Sequence, residues 1–368
     1  MTIYILAYLL LLLIWILLRN QNKRDKILCM TMAVVWTVII GLRHPTMGVD
    51  LHYGFDNGYL GMYQVIGESS WETVLNKFFL NYERGYAIFN KLLYFFSEDS
   101  QFLLFVCAAI AMAAIMWLIY KYSKTPLLSI IIYMALPVLL INFSGLRQCI
   151  AVAITIYAFR YINEKKLIPF VIAVLIANSF HSSAIVFLAA YPIYYIKTQK
   201  SVVKLGSVLI LPFIYIFRVP LFNMMAKLIG ENDTAISTNA FMLSLFFTLI
   251  YIFCLFFEDK ENREQIGCRN LFYAACICQI FGGVSNVAVR VGYYFMVYLV
   301  LLLPEIIVPK VNEKKERIDD YIDQREHNNS VIMYVAVFAF FLCWGIYSIS
   351  AATWAETNPH YFFWQTPV

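Results

Sequence analysis

The feature that most constrains this chain is repetition: apolar runs approaching membrane-spanning length recur from one end to the other. A soluble core has no use for so much apolar sequence. Lipid demands it, because a spanning segment must be apolar and must satisfy its own backbone hydrogen bonds. Hydrophobic residues fill 61% of the 368 positions and charged residues 14%, which excludes soluble and disordered classes. The expected fold class is an all-α integral membrane protein, a single polytopic domain over 1–368. Spans are read near 2–18, 27–41, 101–120, 127–142, 146–162, 167–180, 183–196, 205–217, 239–257, 270–286, 289–308 and 331–350. A straight span needs ~20 residues, so the shorter runs imply broken or re-entrant helices. A further helix near 85–96 is expected to lie partly in the membrane. Met1 to Leu18 lacks a basic leading segment and a small-residue cleavage site, and its positive cluster follows it, so it reads as a retained span.

The formal net charge of +5 raises the question of nucleic acid, and its distribution answers it. Lys and Arg collect in alternate short connections: Arg19, Lys23, Arg24 and Lys26; Lys121 and Lys124; Lys165 and Lys166; Lys197, Lys200 and Lys204; Lys260, Arg263 and Arg269; Lys310, Lys314, Lys315, Arg317 and Arg325. By the positive-inside rule these face the cytoplasm. The expectation is twelve spans with both termini outside, and no nucleic-acid partner. The 42–100 segment becomes an extracytoplasmic loop with amphipathic helices, 309–329 a charged cytoplasmic loop, and 351–368 an extracytoplasmic aromatic tail. The eight cysteines form no CxxC pair and mostly sit in apolar runs, so they read as small buried residues, not as a metal site. No internal repeat is visible, which weighs against a transporter built from inverted repeats.

The outward connections are poor in charge and rich in unusual residues. One carries Arg43, His44, Asp50, His52, Tyr53, Asp56 and Tyr59, and "NYERGYAIFN" carries Glu83, Arg84, Tyr86 and Asn90. Others bring Arg147 and Gln148; Asn178, His181, Ser182 and Ser183; Arg290, Tyr293 and Tyr294; and His360, Tyr361 and Trp364. Each has a plain structural reading. Arg147 can snorkel to headgroups, His181 can bond a neighbouring helix carbonyl, Asp50 can serve a turn, and Glu83 can cap the helix after it. The aromatics can form an interfacial belt.

The set taken together points elsewhere. An Arg at a helix centre in the membrane costs about 2.5–3.5 kcal/mol, and here Arg43, Arg147 and Arg290 are placed in one leaflet. Guanidinium forks bind phosphate bidentately and keep their charge when partly dehydrated. A nearby His or carboxylate offers a general base, and aromatic rings offer flat surfaces to sugars. The chemistry suggested is the handling of a lipid-linked phosphate at the outer leaflet.

At these residues the sequence resembles a known family. Arg43, Gly48, Asp50 and Tyr53, then Glu83, Gly85, Tyr86 and Asn90, look like the opening of EpsG-type proteins, part of the wider Wzy class of bacterial polysaccharide polymerases. Leu146-Arg147-Gln148, then Phe180, His181, Ser183 and Ala184, then Arg290, Tyr293 and Tyr294 continue the pattern in order, over roughly 40 to 300. The ending "HYFFW" is similar to the family's aromatic tail. The resemblance implies an integral-membrane glycosyltransferase of the broad GT-C type in the bacterial cytoplasmic membrane, active on its outer side with no cofactor and no required metal. Its substrates would be oligosaccharide repeat units linked through pyrophosphate to undecaprenol, joined into exopolysaccharide, capsule or O-antigen. A chain-length regulator and a flippase are implied as partners.

By the same resemblance Arg147 and Arg290 grip the donor pyrophosphate and Arg43 supports it. His181 is the first choice for handling the proton, with Asp50 and Glu83 as rivals. Tyr53, Tyr86, Gln148, Tyr293, Tyr294 and Tyr361 would line sugar or lipid surfaces. Two neighbouring readings stay open. An O-antigen ligase-like transferase uses the same donor, although a ligase usually carries a large late outer loop and the longest late connection here is 218–238. A flippase would line a path through the whole membrane, whereas mid-span acids are nearly absent. A membrane-bound O-acyltransferase would leave the three Arg residues without a purpose, and a scaffold would leave the whole set as coincidence.

Overall fold

The computed structural model describes residues 2–51, 58–76, 82–198, 200–229, 240–259, 261–307, 320–351 and 356–367. Regular structure among them is helical, and the chain divides into two compact units, Met1–Ile185 with Pro309–Val368, and Val186–Val308.

The first unit holds α1 (Thr2–Leu17), α2 (Arg24–Gly41), α3 (Tyr59–Glu68), α4 (Trp71–Asn76), α5 (Arg84–Phe96), α6 (Ser100–Tyr122), α7 (Pro126–Ala135), α8 (Ile141–Ser144), α9 (Leu146–Asn163) and α10 (Leu167–Phe180). A 3-10 segment, Ser182–Ala189, leads into the second unit, which holds α11 (Ala190–Tyr195), α12 (Ser201–Ile229), α13 (Ala240–Phe257), α14 (Arg263–Ile280), α15 (Asn286–Met296) and α16 (Leu299–Ile307). The chain returns to the first unit with α17 (Asp320–Ala351).

Among the described residues, each apolar run read from the sequence falls largely in helix, and the break in 127–142 has a local cause. Pro126 opens α7 at its first position, where the missing N–H costs nothing. Pro137 then ends that run, and the chain bends by 75° between Pro126–Ala135 and Pro137–Ser144. A second bend of 46° separates α15 from α16. Three helices, Ser100–Tyr122, Ser201–Met224 and Ser330–Ala351, are long and apolar enough to cross a membrane, or five spans if each bent pair counts as one. Burial divides them. α7 is buried along its whole length and α6 over most of it, while α12 carries exposed apolar side chains, Leu205 at 61% and Ile216 at 68%. Apolar residues turned outward on so apolar a helix suit lipid, not water. This is a membrane protein.

Two glycines allow backbone segments to pack closely. Gly85, on the first turn of α5, lies so near α10 that a Cβ there would stand 2.6 Å from the Ser179 carbonyl oxygen and closer still to its hydroxyl. Gly48 adopts φ +118, and a Cβ there would collide with the Phe143 carbonyl. The C-terminal tail closes over the turn that carries Gly48. His44 N–H donates to the Tyr361 carbonyl at 2.8 Å and Phe363 N–H to the Leu42 carbonyl at 2.9 Å. The Tyr4 hydroxyl reaches the Thr357 carbonyl at 2.6 Å, and His360 Nε2 lies 2.9 Å from the Ile39 carbonyl.

Candidate active site

Three residues far apart in sequence meet at one carboxylate. Glu83 occupies the N-cap position of α5, yet its side chain makes no capping bond. It turns away from its own helix. Oε2 accepts from Arg147 Nη1 at 2.7 Å, and Oε1 accepts from the Ser182 backbone N–H at 2.8 Å. His181 Nδ1 stands 3.3 Å from the same Oε1, off the line of a hydrogen bond. The plain reading of Glu83 as a helix cap is therefore excluded.

The local sequence explains the convergence. Gly145 breaks the chain after α8, and Leu146 restarts it as α9, so Arg147 sits in that helix's first turn. A cation there opposes the helix dipole and needs a compensating anion; Glu83 supplies it. His181 follows the last residue of α10 in extended conformation, and the 3-10 turn beginning at Ser182 presents its N–H to the same carboxylate. Gly85 lets α5 and α10 approach closely enough for these ends to meet.

Rings enclose the guanidinium. Arg147 Cζ lies 4.7 Å from the Tyr82 ring centroid and 5.8 Å from that of Tyr59, whose hydroxyl accepts from Arg147 Nε at 3.2 Å. Tyr59 and Tyr82 stack at 5.7 Å, and Tyr86 meets both edge-on. The side chains of Arg147, Glu83 and His181 are 21%, 16% and 19% exposed, half-sheltered but open to a ligand. Burial pushes the Glu83 carboxyl up, but His181, the Ser182 N–H and the Arg147 charge outweigh it and bring it down to about 2. Glu83 is ionised, and a weak proton acceptor as it stands.

The other expected residues are distributed differently. Arg43 is wholly buried and its guanidinium is enclosed by carbonyls: Nε donates to Met47 O at 3.1 Å, Nη2 to Phe143 O at 2.8 Å, and Nη1 to Ile40 O. It braces the 43–47 turn and the end of α2 against α8, and these carbonyls occupy its Nε, Nη1 and Nη2. Asp50 is near, its carbonyl accepting the Tyr59 N–H at 3.3 Å and its charge acting on the Tyr82 hydroxyl. Gln148 is buried, and Tyr86 lies in the ring cluster with its hydroxyl buried. Tyr361 is tied by its backbone to His44 and Met47. Arg290, Tyr293 and Tyr294 belong to the second unit, where Arg290 is exposed on α15 and both tyrosines are buried. Tyr53 and most of the 309–329 loop lie outside the described residues. Among the described residues no group of three His, Cys, Asp or Glu is placed to hold a metal ion.

Sequence reasoning passed over Tyr82 and the Ser182 N–H, and it left Tyr59 among general outward aromatics. Tyr82 does carry a signal, since it directly precedes Glu83. The backbone N–H carries none, because every residue other than proline has one.

The chain matches a family model, EpsG family, over residues 26–360. The chain belongs to the EpsG family. This is a family of Wzy-type polysaccharide polymerases, so the cluster is to be read against glycosyltransferase-like polymerisation. No curated protein and no solved structure matches the chain.

Proposed function

We propose that this EpsG-family protein joins undecaprenyl-pyrophosphate-linked oligosaccharide repeat units at the outer leaflet of the bacterial cytoplasmic membrane, releasing undecaprenyl pyrophosphate. The observation that carries the reading is the cluster at Glu83, where a half-sheltered Arg in the first turn of α9 stands beside a carboxylate–imidazole pair. A helix N-terminus and a guanidinium together favour a phosphate. The distribution of Lys and Arg supports placing this face outward; the apolar runs support twelve spans, and the family resemblance a GT-C-like bundle.

In the reaction, a hydroxyl oxygen at the non-reducing end of the incoming unit attacks the anomeric carbon of the donor chain. The bond from that carbon to the pyrophosphate oxygen breaks, and its electron pair leaves with the pyrophosphate. Arg147 stabilises the charge developing there. The hydroxyl proton passes to His181 Nε2, and Glu83 beside Nδ1 stabilises the imidazolium that forms. Base assistance of this kind is worth roughly 10²–10⁴-fold. Pyrophosphate leaves readily, so no second carboxylate is needed as acid. A chain-length regulator and a flippase are the protein partners the reading implies.

The test is polymerisation by purified protein given matched lipid-linked repeat units, with and without EDTA. Wild type is expected to give a ladder of lipid-linked oligomers that EDTA does not abolish. Arg147→Ala should lose it, and His181→Ala should slow it by about 10²-fold or more, both with melting curves that report a folded protein. Arg290→Ala in the same assay tests the role the resemblance gives that residue. A single transfer to a different acceptor, with no ladder, would support a ligase in place of a polymerase.

A further inference from the structure

We propose that Glu83 is a stand-in for the donor's pyrophosphate: its carboxylate occupies Arg147 until the pyrophosphate arrives, displaces it, and leaves it to His181 and the Ser182 N–H. This rests on the polymerase reading and adds a coupling between donor binding and the base.

The geometry supplies the parts. Glu83 divides its two oxygens, with Oε2 on Arg147 at 2.7 Å and Oε1 on the Ser182 N–H at 2.8 Å with His181 at 3.3 Å. Carboxylate and phosphate compete for the same guanidinium fork, and the phosphate brings more charge and more acceptor oxygens. When Oε2 is displaced, the Ser182 N–H still tethers Oε1, so the carboxylate pivots instead of leaving. The Tyr59 and Tyr82 rings hold the guanidinium plane in place while its anion changes. Among the described residues, Asp50, felt at Tyr82, and Arg84, next to Glu83 in sequence, are further charged groups.

The consequence is chemical. A carboxylate shared with Arg147 does less for an imidazolium at 3.3 Å than one released from it, which favours the protonated ring more. His181 then becomes a better proton acceptor once a donor is bound, and stays a poorer one while the site is empty.

The experiment measures binding and turnover separately. Undecaprenyl pyrophosphate is titrated into wild type, Glu83→Gln, Arg147→Ala and the double variant in detergent, beside polymerisation rates. The exchange requires Glu83→Gln to bind the lipid about tenfold more tightly, because a competing anion is gone, while turning over more slowly. The tightening should vanish in the Arg147→Ala background. Equal or weaker binding by folded Glu83→Gln overturns the exchange, since that is what a merely supporting carboxylate predicts. A reading independent of that variant comes from wild type with labelled histidine, the His181 signal being identified by its loss in His181→Gln. Its titration midpoint should rise when the lipid binds, and an unchanged midpoint overturns the proposal. Wild type that is folded but binds no undecaprenyl pyrophosphate overturns the polymerase reading as well. Wild type that binds and polymerises while Glu83→Gln gains no affinity overturns the exchange alone.

Discussion

Arg43 and Arg147 are the same side chain, each near the end of an apolar run, and only their neighbours tell them apart. Arg43 spends its donors on three carbonyls in a fully buried cage beside the Phe143 ring. Lys in that place keeps the charge but cannot fork to three acceptors. Arg43→Lys should therefore lower stability by about 2 kcal/mol, read as a drop in melting temperature in detergent. Arg147, with a carboxylate partner and a fifth of its side chain exposed, should act on turnover instead. Glu83 gives a pH signature. Its carboxyl is depressed from 4.5 to about 2 on folding, so its contribution is complete above the unfolded value and lost as pH falls toward the folded one. Wild type should hold its melting temperature from about pH 7 to 5 and lose it toward about pH 2. Glu83→Gln should start lower and fall less steeply across that window.

At the scale of elements, apolar runs made most helices legible, whereas the break at Pro137 lies inside what reads as one run, 127–142. Boundaries depend on local caps that the apolar runs do not show: Asp99 accepts from the Gln101 N–H at α6, and Asn262 and Ser285 cap α14 and α15, so that α14 starts at Arg263, ahead of the run read near 270–286. The pairing of α5 with α10 was not legible. It depends on Gly85 lying against Ser179, and a glycine in "ERGY" does not say what it approaches. Gly85→Ala should push the two helices apart and draw Glu83 from His181 and the Ser182 N–H. Activity is expected to fall by about 10²-fold with the helix content unchanged by circular dichroism. Full activity would show that the contact does not position the site.

At the scale of the whole molecule, charge also has a structural role in the second unit. Glu258 is buried between Arg269 Nε at 2.7 Å and Lys204 Nζ at 2.5 Å, and Arg269 Nη2 continues to Thr198 at 2.7 Å. Asn270 ties the end of α11 to α14 through the Ile193 and Ile196 carbonyls. Lys204 and Arg269 belong to the basic set that the positive-inside rule would assign to the cytoplasm, and that rule says nothing of a buried partner. Removing one member of a buried pair strands the other. Glu258→Gln should destabilise by about 3 kcal/mol, seen as a lowered melting temperature, while binding of undecaprenyl pyrophosphate by the folded protein stays intact. Lost binding at temperatures where the variant is folded would contradict this.

The sequence by itself determined the solvent and the alphabet of this protein: lipid, because apolar runs of that length have no other stable home, and helices, because a backbone in lipid must satisfy its own hydrogen bonds. It also carried the family, since the ordered residues survive in one dimension. Tertiary structure decided which charges are enclosed by backbone and which stay partly open. Arg43 became a brace and Arg147 a candidate ligand-binding residue because partners at 2.7 or 2.8 Å come from segments 64 and 100 residues away. Such distances are set by helix packing and glycine contacts, and linear order does not record them.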